Sequence, residues 1–154
     1  MRDLLEEVTF IRQKIESITT VDKCFFSSDF PINACKHASM LLCYHLLKNG
    51  YNKALFLVFG VSKMRDGEVG HWWIESEENL IDITADQFNL IEDSALSYKI
   101  KKNRQYLPIY CCPVTQAPHR KIFTLIHKER RPWNEDDLCD IYLDELDTLY
   151  RSFI

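Results

Sequence analysis

The stretch Val69-Gly70-His71-Trp72-Trp73-Ile74-Glu75, followed by Glu77-Glu78-Asn79 and then Leu80-Ile81-Asp82-Ile83-Thr84, decides the fold. The flanking runs are rich in β-branched and aromatic residues and the polar triplet is a tight connection, so residues 69–74 and 80–84 read as a hairpin. Upstream, Ala54 to Val61 is a dense apolar run fit for a buried strand, and Met64 to Gly67 is the polar turn after it. Before that, Ala34 to Asn49 reads as a helix, with Asn33 as N-cap and Gly50 as its stop. Ala38, Met40, Leu41, Leu42, Cys43, Leu46 and Leu47 spread apolar surface around most of its circumference, which marks a buried, central helix.

Farther out the signals are of the same kind. Leu4, Val8, Ile11, Ile15 and Ile18 form one face of an amphipathic helix over residues 3–18. Leu107 to Cys112 and Ile122 to His127 read as further strands, with a short helix after Asp93. Asn134 caps a final helix whose first turn holds Glu135, Asp136 and Asp137, where the helix dipole favours acids. Its apolar face is Leu138, Tyr142, Leu146, Leu149 and Phe153. The expectation is an α+β fold: a central N-terminal helix packed on an antiparallel sheet, with flanking N- and C-terminal helices. Neither a repeat nor a linker divides the chain, so residues 1–154 form a single domain, with a core over about 30–127 and a C-terminal helix over about 134–153.

Composition narrows the function classes. The chain has 154 residues, 46% hydrophobic and 27% charged, with only 4 Gly and 5 Pro, which excludes collagen-like and low-complexity readings. No apolar run approaches the roughly 20 residues of a membrane span. The acidic start, Met1 to Phe10, lacks the basic and apolar regions of a signal peptide, so the expected location is cytoplasmic. The net charge of −4 argues against a general nucleic-acid binder. Charge is uneven, however: residues 99–131 carry nine Lys or Arg against one acid, and residues 135–154 carry seven acids against one Arg. The simpler reading is that the two segments lie together and neutralise each other; the functional one is that Lys99 to Arg131 forms a basic groove for an acidic partner.

Six cysteines in a small secreted chain would read as a disulfide framework, but here their positions differ in kind. Cys43 and Cys139 fit buried helical faces as small hydrophobes, and Cys24, Cys111 and Cys112 show no partner pattern. Cys111-Cys112 lacks zinc-knuckle spacing, and His37 and His45 share a helix without a third ligand, so no metal and no cofactor is expected. Cys35 differs. It opens the buried helix, where partial positive charge stabilises a thiolate. His71, in a strand of large apolar neighbours, needs polar partners; a thiolate on one side and a carboxylate on the other would provide them. Asp82 lies 11 residues on, close to opposite His71 across the hairpin when counted from a turn centred near Glu77. Asp86 competes with it for that role. Cys35, His71 and Asp82 are thus nucleophile, base and orienter. Asn33 is a candidate oxyanion donor beside the backbone N–H of Cys35. Trp72 and Trp73 point to opposite faces of their strand, one for the core and one for the cleft wall. Glu75 reads as solvent-facing and His119, after Pro118, as a loop residue.

Three segments in this order resemble a known family. Ala34-Cys35-x-x-Ala38-Ser39 at the head of a central helix, then Gly70-His71-Trp72-Trp73-Ile74-Glu75, then Ile81-Asp82-Ile83-Thr84, are similar to the transglutaminase-like superfamily of the papain-like fold. There, a Cys opens a helix, a His-Ala-Trp-Val-Glu type strand follows, and an Asp-Pro-Thr type strand comes next. Trp72 stands where that family often has Ala, Ile83 where it often has Pro, and Ala34 where Gly usually precedes the nucleophile. The resemblance covers about residues 30–88. It implies a compact α+β core with catalytic roles for Cys35, His71 and Asp82, and acyl transfer or hydrolysis of a peptide or glutamine-like amide through a thioester. A peptide or protein is the expected substrate. The alternative is a catalytically inactive protein-binding module on the same fold.

Overall fold

The computed structural model describes residues 3–18, 26, 28–126, 131–132 and 140–153. Helix α1 spans Leu4–Ile18 and α2 spans Cys35–Lys48. Strands β1 (Phe56–Met64), β2 (Gly67–Ser76) and β3 (Asn79–Asp82) follow as two successive hairpins. Short 3-10 turns at Ala85–Asn89 and Asp93–Ala95 lead to α3 (Tyr98–Lys102), β4 (Tyr110–Pro113), α4 (His119–Ile122), β5 (Leu125–Ile126), β6 (Arg131–Pro132) and α5 (Asp140–Arg151). The expected cap at Asn134 with its acidic first turn, as well as Leu138, Cys24 and Cys139, lies outside the described residues.

The sheet is six-stranded and antiparallel in every pairing, in the order β4-β3-β2-β1, with β5 and β6 both against β1. Alternation along β2 splits its side chains between two cores. Ile74 and its partner Ile81 face α1, α2 and α5, packing with Val8, Leu41, Leu42 and Leu146. Trp73 and Leu80 face the opposite way, onto Phe88, Ile100, Ile122 and Phe123 from the 3-10 turn, α3 and α4. β1 can pass under that second core because residue 60 is Gly: a Cβ there would stand 2.5 Å from the Trp73 ring and 2.7 Å from Phe123.

Helix α2 is the central one, as its all-round apolar surface requires: Ala38, Leu41, Leu42, Cys43 and Leu46 are all buried. Polar ties fix its neighbours. His45, buried mid-helix, faces Glu7 of α1 with one ring nitrogen and the Tyr150 hydroxyl of α5 with the other, at 2.8 Å. Tyr44 donates to Asp147, and His37 meets the Tyr142 hydroxyl at 2.9 Å. Arg12 of α1 reaches across to the chain after β3: it donates to the carbonyls of Ile83 (2.7 Å) and Pro108 (3.1 Å) and forms a two-pronged pair with Asp86. That pair engages Asp86, the rival to Asp82, elsewhere.

Parts of both charged segments, within residues 127–130 and 133–139, lie outside the described residues. Among the described residues, α5 packs on the α2 side of the sheet and α3 and α4 on the other. No helix among the described residues is long and apolar enough to cross a membrane. The four described cysteines are all free thiols.

Candidate active site

The site forms where β3 stops. β2 pairs with β3 only from Ile74 onward, so the earlier part of β2 presents a free edge on that side. The head of α2 meets this edge. The cap residue of α2 is Ala34, whose side chain accepts nothing from the first-turn N–H groups. Asn33 does not cap the helix. It sits at φ 59 with its side chain exposed, and its backbone N–H donates to Gln87 Oε1 at 3.2 Å.

Cys35 is the first residue of α2 and is partly exposed. Burial works to keep its thiol protonated, but His71 and the backbone N–H of Trp72 outweigh burial and bring the thiol below the ordinary cysteine range. Burial pushes the other described thiols, Cys43, Cys111 and Cys112, up. Cys35 thus heads a helix on one face of the sheet while its thiol responds to a histidine of β2.

His71 is fully buried. Its Nε2 lies 2.6 Å from Asp82 Oδ2. The two are not directly opposite, as a turn centred near Glu77 would place them. The turn consists of Glu77 and Glu78 alone, Ser76 faces Asn79, and the register sets Asp82 two residues off His71 on the same face. Diagonal neighbours of this kind remain within side-chain reach. Burial disfavours the imidazolium, while the charge and hydrogen bond of Asp82, then Cys35, favour it, and the balance raises His71 to about 10. The rings of Phe88, Phe123 and Trp73 surround His71 at 5.0, 5.5 and 6.0 Å, and their low polarity strengthens the pair.

Asp82 is held from every side. Burial would protonate it, but His71 and His119 keep it well below the usual carboxylate range. Oδ1 accepts from the Thr84 backbone N–H at 2.8 Å and Oδ2 faces His119 Nε2 at 2.7 Å. His119 is thus no loop residue: it opens α4, is 2% exposed, and shares one carboxylate oxygen with His71. Burial lowers its pKa against the pull of Asp82, so it acts as a neutral donor. No periodicity marks this segment, and the contact spans 37 residues; the only local signal is a His-Arg pair directly after Pro118. Its neighbour Arg120 grips Glu75, with Nε at 3.1 Å from Oε2, and Glu75 also accepts the Trp73 indole N–H at 2.9 Å. Glu75 is 1% exposed rather than solvent-facing, because the indole and the guanidinium together satisfy a buried carboxylate.

The tryptophans divide as alternation requires. Trp73 is fully buried in the second core, which removes it from substrate contact. Trp72 is partly exposed, packs on Phe59 at 4.8 Å, and lies under Lys36 Nζ at 5.0 Å.

His71, Asp82 and His119 could also offer an ion three donor atoms within 4.8 Å of one another. The spacing points elsewhere. Zinc ligands at about 2.0 Å stand about 3.3 Å apart in a tetrahedral shell, whereas both nitrogens here lie 2.6–2.7 Å from one oxygen. That is a hydrogen-bonded set with the carboxylate oxygen at its centre. Chemically, the group offers a thiol with a lowered pKa, a base beside it, and an ionised carboxylate fixing that base.

No family model, curated protein or solved structure matches this chain.

Proposed function

We propose that this chain is a cysteine-dependent hydrolase or acyltransferase acting on a peptide or glutamine-like amide, built on a papain-like, transglutaminase-like core. The observation that carries this reading is the contrast among the thiols: Cys35 alone of the described cysteines is lowered, and it is the one beside the buried His71–Asp82 pair. His71 accepts the Cys35 proton and the sulfur attacks the amide carbonyl. The oxyanion meets the Cys35 backbone N–H at the head of α2, where no side-chain cap competes. His71 then gives the proton to the leaving amine, the C–N bond breaks, and a thioester remains. Water or a second amine adds to the thioester, losing its proton to His71, and expels the thiol. Neither metal nor cofactor enters these steps. Trp72 walls the cleft and Asn33 lies at its mouth. The protein is cytoplasmic in this reading, and Lys99 to Arg131 would contact an acidic partner.

The test is alkylation by iodoacetamide near neutral pH, read by intact mass and peptide mapping. Cys35 labels first, His71→Ala slows it by about tenfold or more as the thiol returns to its ordinary pKa, and an acyl-donor probe leaves its adduct on Cys35. Labelling no faster than at partly exposed Cys111 would overturn the reading and favour a protein-binding module on the same fold.

A further inference from the structure

Gln87 is buried in the 3-10 turn after Asp82, and its side chain joins the two halves of the site. Oε1 accepts the backbone N–H of Asn33, two residues before the nucleophile, at 3.2 Å. Its Nε2 stands 3.2 Å from His71 Nδ1. The orientation of the carboxamide follows from chemistry: a backbone N–H can be met only by the oxygen, so the NH2 end faces the histidine. An NH2 can only donate, which demands a bare lone pair on Nδ1. Asp82, at the other nitrogen, demands a proton on Nε2. The neutral Nε2–H tautomer satisfies both partners; the imidazolium sets two donors against each other at Nδ1.

We propose that Gln87 is a positioning residue for the Cys35–His71 pair, tying the backbone ahead of the nucleophile to the base and opposing, through its NH2, the imidazolium that Asp82 favours. This rests on the acyl-transfer reading above. Asp82 occupies Nε2, so Nδ1, which Gln87 faces at 3.2 Å, is the nitrogen left for the thiol. The groups facing His71 are Cys35 from α2, Asp82 from β3 and His119 from α4, with the Tyr110 ring of β4 against His119. Asp82 favours the imidazolium, and Gln87 alone opposes it by a directed bond. The consequence is an imidazolium held less tightly than Asp82 alone would hold it, and a proton given up more readily to the leaving amine.

The test uses Gln87→Met, which keeps the side chain's length and removes the donor. Removing the donor that opposes the imidazolium raises the share of thiolate, and with it the neutral-pH alkylation rate of Cys35, by about fivefold. A general loosening of the site would slow it instead, so an unchanged or slower rate overturns the proposal. If Gln87→Met fails to fold, Gln87→Glu decides, since it keeps the acceptor for Asn33 and removes the donor: ring-nitrogen NMR has His71 Nδ1 holding its proton to higher pH than in the unsubstituted protein, and an unchanged titration overturns the proposal. His71→Ala separates the two readings. If it slows Cys35 labelling while Gln87→Met matches the parent, only the role of Gln87 fails; if His71→Ala changes nothing, the acyl-transfer reading fails and this proposal with it.

Discussion

Residues that a local reading treats as unrelated are held by one carboxylate oxygen. Asp82 Oδ2 faces His71 and His119, and each histidine has a different duty: one sits beside the thiol, and the other only donates. His119→Phe keeps the ring against Tyr110 and Trp73 and removes that donor. A buried hydrogen bond to a charged group is worth about 2 kcal/mol, so urea unfolding should register a loss of that order. Asp82 also becomes easier to protonate, so Cys35 alkylation should begin to fail at a higher pH on the acid side. A variant with unchanged stability and an unchanged acid limb would remove His119 from the site. Cys35, His71 and Asp82 were legible in the sequence because each sits in an element with a clear period. His119 and Gln87 were not, since what makes them matter is a partner that only the folded chain brings near.

At the scale of elements, periodicity carried the reading and turns limited it. α1, α2 and the three strands β1 to β3 follow from apolar spacing alone. The register did not: moving the turn centre by one residue shifts every cross-strand partner by two, which turned an opposite pair into a diagonal one. β4 is shorter than its apolar run suggested, because Pro108 and Pro113 confine it to four residues. One contact ties these elements to the site. Arg12 holds the segment from Ile83 to Asp86, and with it the turn carrying Gln87, against α1. Arg12→Met strands the buried Ile83 carbonyl and the half-buried Asp86 charge, and should cost about 2–3 kcal/mol, measurable by urea or thermal unfolding. Arg12→Lys should rescue little, since an ammonium cannot reproduce the planar fork. Full rescue by lysine would mean that charge alone suffices at this position.

For the whole molecule, the buried carboxylate couples folding to pH. Asp82 lies far below its unfolded value of about 3.9, held there against burial by His71 and His119. In that range the unfolded chain binds a proton that the folded chain refuses. The contribution is therefore fully present above the unfolded pKa and is lost as pH falls below it. Stability measured from pH 6 down to pH 3 should fall steeply, and less steeply in Asp82→Asn; equal slopes would place the acid sensitivity elsewhere. Among the described residues, α5 lies on one side of the sheet and α3 and α4 on the other. The short third strand has a further consequence. At the part of β2 that β3 does not pair, the Trp72 backbone N–H favours the Cys35 thiolate. Any bond made at that sulfur, by an acyl group or an alkylating agent, removes the charge that this amide favours. Hydrogen–deuterium exchange at this one backbone position would then record whether the thiol is occupied, giving the molecule a reporter of its own covalent state without a label.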